Sequence, residues 1–204
     1  YRSLGGATNH FAREVHMDEI AIGLGLDPLE FRLSNLSHAR LRKCLLAAVE
    51  TFGWTSREKK PGVGYGLAVG YDAGSFTAQC VEVLVENQEA RVVRVTVGFD
   101  CGLVVNPEGA RNQIEGSIVM GMGTALWEAV EFDGGRVLNA GFARYRVPRI
   151  TDTPEIEVVF TGDDDVPSSG AGEPGIVPIA AAIANAVRDA TGTAIEELPI
   201  VPRL

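Results

Sequence analysis

The hydrophobic period of the chain changes near residue 60, and this change restricts the folds that the chain can adopt. Before that point apolar residues recur at helical spacing, as at Leu41, Leu45, Val49 and Phe52. Between residues 63 and 100, apolar runs broken by short turn sequences predict three strands, two of them an antiparallel pair with one solvated face. The predicted class is therefore α+β, with a mixed or antiparallel sheet packed against helices; a doubly wound fold is less consistent with this order.

Capping signals place the helices. Asp27, Pro28 and Glu30 form a helix start, and Gly53 and Gly192 stand where helices should end. We predict helices at about residues 9–26, from 28, at 39–52, within 106–130 and at 178–191, a hairpin turn at 133–135 and a further strand at 155–162. Residues 1–60 are interpreted as a helical segment and residues 61–204 as an α+β subdomain.

Composition excludes several kinds of partner. The chain has 204 residues and a net charge of -9, without the clusters of Lys and Arg that nucleic acids or anionic membranes require. Its apolar stretches are shorter than the ~20 residues that span a bilayer. The three cysteines are widely spaced in apolar runs and are expected to be buried thiols. The chain begins inside a motif and its first methionine is Met17, so we expect a piece of a longer protein.

Glu173 is the strongest candidate for chemistry. It lies in the loop Gly170–Gly175, where small residues and glycines allow a ligand to approach the main chain, and an Ala-rich helix follows. The alternatives are a solvated glutamate in a surface loop and a charge at a helix N-terminus that interacts favourably with the helix dipole. Gln113 is a second candidate, because its side-chain amide can both donate and accept hydrogen bonds. Gly116, Gly121 and Gly123 follow it in the predicted helix and would let a ligand approach the helix backbone closely. Tight packing against other protein elements explains those glycines equally well.

The other polar groups are weaker candidates. Arg2, with Gly5 and Gly6 nearby, could form an anion-binding loop. The three histidines lack the spacing of metal ligands, and the acidic run at residues 163–165 has no calcium-binding pattern around it, so no metal site is predicted from protein ligands.

Four stretches in one order resemble a single family over almost the whole chain. They are "YRSLGGATNHFAREVHMDEIA", "LDPLEFRLSNL", "FDCGLVVNP" followed by "NQIEGSIVMGMG", and "GAGEPGIVPIAAAIANAV". This combination is similar to the large molybdopterin-binding subunit of the xanthine dehydrogenase and aldehyde oxidase family. The isoquinoline 1-oxidoreductase beta-subunit type is the most similar, and the chain matches the C-terminal half of its cofactor-binding domain.

The resemblance implies a molybdenum hydroxylase acting on an N-heterocycle or an aldehyde with oxygen derived from water. Its cofactor would be a molybdenum-pyranopterin, as molybdopterin or in the cytosine dinucleotide form. Glu173 falls on the family's general base, which takes a proton from the metal-bound hydroxide and must therefore lie within about 3 Å of it. Gln113, Arg2 and Gly172 fall on cofactor-contacting positions, Arg2 chiefly through its backbone, and Leu4 falls on a substrate-pocket position.

Two positions depart from the family pattern. Met120 replaces a second glutamine, which removes a hydrogen bond to the cofactor, and Leu4 replaces an aromatic residue, which favours a substrate other than a purine. The family's other cofactor-binding half would precede Tyr1, so this chain alone is not expected to retain the cofactor.

The family also implies partners. Electrons must leave the metal, and the chain has no cysteine set for an iron–sulfur cluster. We therefore expect a small subunit with [2Fe-2S] clusters, a flavoprotein or cytochrome acceptor, and the N-terminal remainder of the same subunit. Localisation stays open between cytoplasm and periplasm. A non-catalytic interaction module that keeps the fold, and a small-ligand sensor, are the alternative functions.

Overall fold

The computed structural model describes residues 2–202, which form five α-helices and six strands. The helices are α1 (Gly6–Gly23), α2 (Pro28–Asn35), α3 (Ala39–Phe52), α4 (Pro107–Leu126) and α5 (Ile179–Thr191). The strands are β1 (Val63–Asp72), β2 (Ser75–Glu86), β3 (Glu89–Asp100), β4 (Phe132–Asp133), β5 (Arg136–Val137) and β6 (Glu155–Phe160). None of the helices within 2–202 combines the length and apolar composition needed to cross a bilayer.

The main sheet has the order β1-β2-β3-β6. Its first three strands form an antiparallel meander, and β6 pairs with β3 in parallel. The sheet is therefore mixed, and the predicted α+β class is confirmed. A two-residue turn at Ala73 and Gly74 joins β1 to β2, and both residues have the positive φ that such a hairpin turn requires. β4 and β5 form a separate short hairpin.

Capping residues work as the sequence predicts. The Asp27 carboxylate accepts a hydrogen bond of 2.8 Å from the Leu29 backbone N–H at the start of α2. Gly53 and Gly192 adopt left-handed conformations at the ends of α3 and α5. α1 begins at Gly6, three residues before the predicted start.

Helices cover both faces of the main sheet. α3 packs over β3 at Gly98, where a Cβ atom would overlap the Cys44 carbonyl, and its core includes Leu45 and Leu67. α5 crosses β1 on the other face at Gly64 and Gly66, which let the helix backbone come close. The division of the chain at residue 60 stays an interpretation of the sequence.

The outer edge of β1 is covered by polar side chains instead of another strand. From α1, Glu14 accepts from the Val69 N–H at 3.0 Å, and Arg13 donates to the Val69 carbonyl at 2.9 Å. From α5, Asn185 donates to the Leu67 carbonyl at 3.1 Å.

Two further N–H groups at this edge of β1 also have side-chain acceptors. The Tyr65 N–H donates to Asp189, and the Tyr71 N–H donates to His10. These contacts fix both helices against the strand and prevent further strand pairing there.

Glu14 also belongs to a buried ionic cluster. Its carboxylate accepts from Arg32 Nε at 2.9 Å, and Arg32 Nη1 donates to Asp18 at 2.5 Å. Arg32 and Glu14 are each only 2% exposed. Glu14 and Arg32 balance each other's charge, and removing either one would leave an uncompensated buried charge, so this pair joins α1, α2 and β1 at a high cost of disruption.

Asp18 is expected to make stability fall as pH rises. Burial raises the pKa of its carboxyl group to about 6, and the neighbouring Glu14 carboxylate adds to this rise. The positive charges of Arg32 on α2 and Arg188 on α5 lower the pKa but do not outweigh burial. The folded state therefore holds a proton that the unfolded state releases near pH 4. For this group the free energy of unfolding is highest below about pH 4, falls towards pH 6 by about 3 kcal/mol, and is constant above.

The Asp18→Asn variant tests this expectation by urea denaturation between pH 4 and pH 8. The variant should exceed the parent in stability at pH 8, and the difference should vanish near pH 4. Asp133→Asn, at the exposed end of β4, is the matched control and should follow the parent at every pH. A constant difference across the range would contradict the assignment.

Candidate functional site

Glu173 lies where the loop before α5 meets the segment before α1. Its side chain is half-buried, and its Oε1 accepts a hydrogen bond of 2.9 Å from the Ser3 backbone N–H. No residue within 2–202 donates a hydrogen bond to Oε2. The carboxylate therefore has one oxygen fixed by the main chain and one oxygen available to a ligand or a proton.

The other candidates converge on the peptide beside Glu173. Arg2 donates to the Gly172 carbonyl through Nε at 2.7 Å and also through Nη2. Its Nη2 lies 3.3 Å from the Gln113 carbonyl, and the Gln113 amide donates to the same Gly172 carbonyl at 3.3 Å. Gln113, on the first turns of α4, and Arg2 thus hold the Gly172 peptide between them. The family resemblance implies a role for Arg2 through its backbone, whereas the structure shows its side chain holding the loop.

The charges of this cluster are balanced locally. Partial burial lowers the pKa of Arg2, and attraction by the Glu173 carboxylate opposes that shift. Guanidinium groups stay protonated in proteins, so the cluster presents one cation beside one carboxylate.

The two positions that depart from the family pattern have exposed side chains. Leu4 has 72% of its surface exposed and Met120 has 48%. The substrate-pocket role of Leu4 stays a prediction.

Only one of the three interior glycines of α4 is left free for a ligand. A Cβ at Gly121 would overlap Ile179 of α5, and one at Gly123 would overlap Glu128 and crowd Pro148. Gly116 has no atom within 4 Å of such a Cβ. Tight packing within the protein, the alternative explanation of this motif, therefore accounts for Gly121 and Gly123.

Several residues that contact the loops of the candidate site carry no functional signal of their own in the sequence. Ser3 was only a member of the Arg2 motif, yet it is 4% exposed and its hydroxyl donates to Asp72 Oδ2 at 2.7 Å. Ser75 and Asp72 flank the β1–β2 turn, and their only sequence signal was the turn itself. The position of Gly175 is also fixed by a contact without a sequence signal: its carbonyl accepts a hydrogen bond of 2.7 Å from the buried Gln79 amide.

The remaining polar candidates have structural roles. His10 Nδ1 donates to the Gly6 carbonyl at 2.7 Å and its Nε2 accepts from the Tyr71 N–H at 3.3 Å, which fixes a neutral ring. Burial lowers the pKa of His10, in agreement with that state. Among residues 2–202 no group of His, Cys, Asp and Glu side chains could hold a metal ion. The three cysteines are buried and free, and burial raises the pKa of Cys44 to about 12.

The Glu173 cluster is an open surface instead of a closed pocket. A cavity of about 350 Å³ lies elsewhere, between the β2–β3 turn, the C-terminal end of α4 and residues 151–155. Its lining includes none of Arg2, Gln113, Gly172 and Glu173. A ligand bound at the cluster would therefore contact these residues on one side only.

Comparison with known proteins identifies the family. A family model described as a molybdopterin cofactor-binding domain matches residues 34–154. A nicotinate dehydrogenase subunit of Pseudomonas putida is 35% identical over 98% of this chain. This chain belongs to the molybdopterin cofactor-binding domain family. The beta subunit of isoquinoline 1-oxidoreductase of Brevundimonas diminuta is 32% identical over the whole chain, which agrees with the resemblance noted in the sequence. The alignments cover only 18% and 26% of these two relatives.

Solved structures support the same fold. Aldehyde oxidoreductase from Desulfovibrio desulfuricans superposes on 99% of this chain and 40% of its own, with a TM-score of 0.86 at 17% identity, which shows the fold alone. Quinoline 2-oxidoreductase from Pseudomonas putida 86 covers 63% of this chain and 18% of its own, with a TM-score of 0.58 at 28% identity.

The cluster fits one side of a large anionic cofactor. Gly172 is exposed, and a Cβ placed there would meet only the Gln113 amide, at 3.9 Å. Within residues 2–202 the N–H groups of Ala171, Gly172 and Glu173 have no acceptor, so they remain available as donors. Together with the Gln113 amide oxygen, which also lacks a partner there, they offer the groups that a pyranopterin's heteroatoms require.

Two glycines of this loop should respond differently to alanine. A Cβ at buried Gly175 would overlap the Ser117 hydroxyl of α4, so we expect Gly175→Ala to lower the free energy of unfolding by roughly 1 to 3 kcal/mol. Gly172→Ala should stay within about 0.5 kcal/mol of the parent, because its Cβ enters open space. Urea denaturation of both variants checks the contrast, and equal losses would contradict the packing described here.

Proposed function

We propose that this chain is the Glu173-bearing part of a molybdenum hydroxylase large subunit. The reaction is hydroxylation of an N-heterocycle, or oxidation of an aldehyde, with oxygen derived from water. Family membership supports the cofactor, and names such as nicotinate dehydrogenase and isoquinoline 1-oxidoreductase among the relatives support the substrate class. When bound, the molybdenum-pyranopterin supplies the two-electron redox chemistry.

The position of the Glu173 carboxylate is the observation that carries this proposal. One oxygen is fixed by the Ser3 N–H, and the other accepts no hydrogen bond from the described residues 2–202. A general base needs this combination of fixed orientation and free lone pairs. In our proposal Oε2 of Glu173 accepts the proton released when the attacking oxygen adds to the substrate carbon.

The neighbouring residues bind and orient. Gln113 and the N–H groups of residues 171–173 hold the cofactor, in the molybdopterin or the cytosine dinucleotide form. Arg2 keeps the Gly172 peptide in place, with its side chain on the carbonyl oxygen and its backbone facing the cofactor. Leu4, an aliphatic residue exposed beside this loop, contributes to a pocket for substrates other than purines.

The open cluster requires other parts of the protein. We propose that the N-terminal remainder of the subunit supplies the facing wall, because the chain spans only 18% to 26% of the two curated relatives compared above. Electrons then pass to a small subunit with [2Fe-2S] clusters and on to a flavoprotein or cytochrome. The three cysteines are buried and free, and among residues 2–202 they form no group that could hold a metal ion.

Glu173→Gln tests the base directly. In the complete holoenzyme it should lower kcat by about 10² to 10⁴-fold, because the amide cannot accept the proton, while molybdenum content stays near that of the parent. Dye reduction with nicotinate, isoquinoline and benzaldehyde measures turnover, and metal analysis measures the cofactor.

Glu86→Gln is the matched control for this experiment. Glu86 is exposed at the end of β2 opposite the β1–β2 turn, so its variant should keep the parent kcat. Retained turnover of Glu173→Gln on a substrate that the parent oxidises would reject the base assignment.

Gln113→Ala tests cofactor binding. Removing the amide should lower the molybdenum content of the purified holoenzyme several-fold, because a ligand contact and the Gly172 hydrogen bond are lost together. Asn112→Ala, at the preceding exposed position of α4, should leave the content unchanged. Equal metal content in both variants would remove Gln113 from the cofactor site.

The openness of the cluster also supports a second candidate, a non-catalytic module that keeps the fold without cofactor. Metal analysis of the complete protein separates the two. Molybdenum together with turnover supports the hydroxylase, whereas a well-folded complete protein that contains no molybdenum supports the module.

A further inference from the structure

The β1–β2 turn, residues 72–75, contacts both loops that form the candidate site. On one side Asp72 Oδ2 accepts from the Ser3 hydroxyl at 2.7 Å. The backbone N–H of the same serine donates to Glu173 Oε1 at 2.9 Å. A continuous path of two hydrogen bonds therefore runs from the end of β1 to the proposed base.

On its other side the turn holds the start of the Glu173 loop. The Ser75 hydroxyl donates to the Gly170 carbonyl at 2.6 Å, and the Gly170 N–H donates to the Ala73 carbonyl at 3.2 Å. Ser75 is fully buried, and a Cβ at Gly170 would crowd Ala73. Three residues before Glu173, the loop is thus fixed to the same four-residue turn.

Backbone strain is concentrated at this contact. Of the five non-glycine residues with positive φ within residues 2–202, Ser3, Leu4 and Ala73 belong to the turn or to the segment bound to it. The other two form the β2–β3 turn at the opposite end of the sheet. Left-handed conformations of such residues cost of order 1 kcal/mol or more and persist only where surrounding contacts enforce them.

We propose that the turn of residues 72–75 is a positioning element for Glu173. Asp72 acts on the carboxylate through Ser3, and Ser75 acts through Gly170; neither touches the substrate. This inference rests on the proposed role of Glu173 as the base. Its physical basis is that a displacement of a catalytic group by about 1 Å can cost about 100-fold in rate.

Three variants release the two side-chain contacts of the turn: Asp72→Ala and Ser3→Ala each remove the Ser3–Asp72 hydrogen bond, and Ser75→Ala removes the bond to the Gly170 carbonyl. In the complete holoenzyme each should lower kcat by about 10- to 100-fold, with KM changed less than about 3-fold and molybdenum content unchanged. Asp72→Asn keeps an oxygen that can accept from the Ser3 hydroxyl, so it should recover most of the parent kcat.

Hydrogen–deuterium exchange supplies a readout that does not depend on turnover. The Ser3 N–H should exchange faster in Asp72→Ala than in the parent or in Asp72→Asn, measured on the peptide that contains residues 2–6. Faster exchange together with lower kcat supports positioning, whereas parent-like exchange in Asp72→Ala overturns it.

Asp189→Ala is the matched control. Asp189 also fixes a backbone N–H of β1, that of Tyr65 at 3.1 Å, but at the end of the strand remote from the site. Its variant should lose stability without losing kcat. If kcat falls equally in Asp189→Ala and Asp72→Ala, the turn has only a structural role and the proposal is wrong.

The experiment separates this proposal from the proposed function. If Asp72→Ala, Ser3→Ala and Ser75→Ala all keep the parent kcat while Glu173→Gln is inactive, the positioning role is overturned and the assignment of Glu173 as the base stands. An active Glu173→Gln overturns the base itself, and the positioning role fails with it.

Discussion

The hydrogen bonds of the buried Glu14 carboxylate are the interactions on which the arrangement of the helices around the sheet depends. The carboxylate accepts hydrogen bonds from the Val69 N–H on β1, from Arg32 on α2 and from Arg13 on its own helix. Because a buried charge is stable only when it is paired and hydrogen-bonded, this one side chain requires α1, α2 and β1 to meet in a single geometry. The apolar cores on the two faces of the sheet then form around a fixed frame. Hydrophobic burial supplies most of the driving force but is not directional, so polar contacts of this kind select the orientation.

The same edge of β1 explains why the candidate site lies where it does. α1 and α5 both place polar side chains along the strand, and the segments that precede these two helices carry the site residues. Once the helices are fixed, the Arg2–Gly6 segment and the Gly170–Gly175 loop must approach each other near the last residues of β1. The β1–β2 turn starts there and bonds to both of them. Side chains from α1 and α5 thus take the place of a further strand at this edge of the sheet. Because they fix both helices, they also bring together two parts of the sequence that are 170 residues apart.

Local patterns in the sequence predicted local structure well, and the reasons are physical. The apolar periodicity of α3 and its C-terminal glycine predicted both ends of the helix correctly, since periodicity and a left-handed cap depend on neighbouring residues alone. Family motifs also brought Arg2, Gln113 and Glu173 forward as one group from the sequence alone. The Ser3–Asp72 contact could not be predicted, because it joins residues with no motif in common and depends on where α1 lies. Gly121 had two explanations in the sequence, and only the packing of α5 decided between them.

Most contacts that shape the candidate site involve backbone atoms. The Gly172 and Gly170 carbonyls and the Ser3 N–H take part in them, and their positions are set by loop conformation and by the ends of α4 and β1. Geometry fixed in this way is insensitive to the identity of exposed side chains nearby. Leu4 and Met120, the two departures from the family pattern, have exposed side chains that make no part of this network. Substitutions at these two positions that keep the backbone conformation can therefore alter the exposed surface without moving the carboxylate of Glu173.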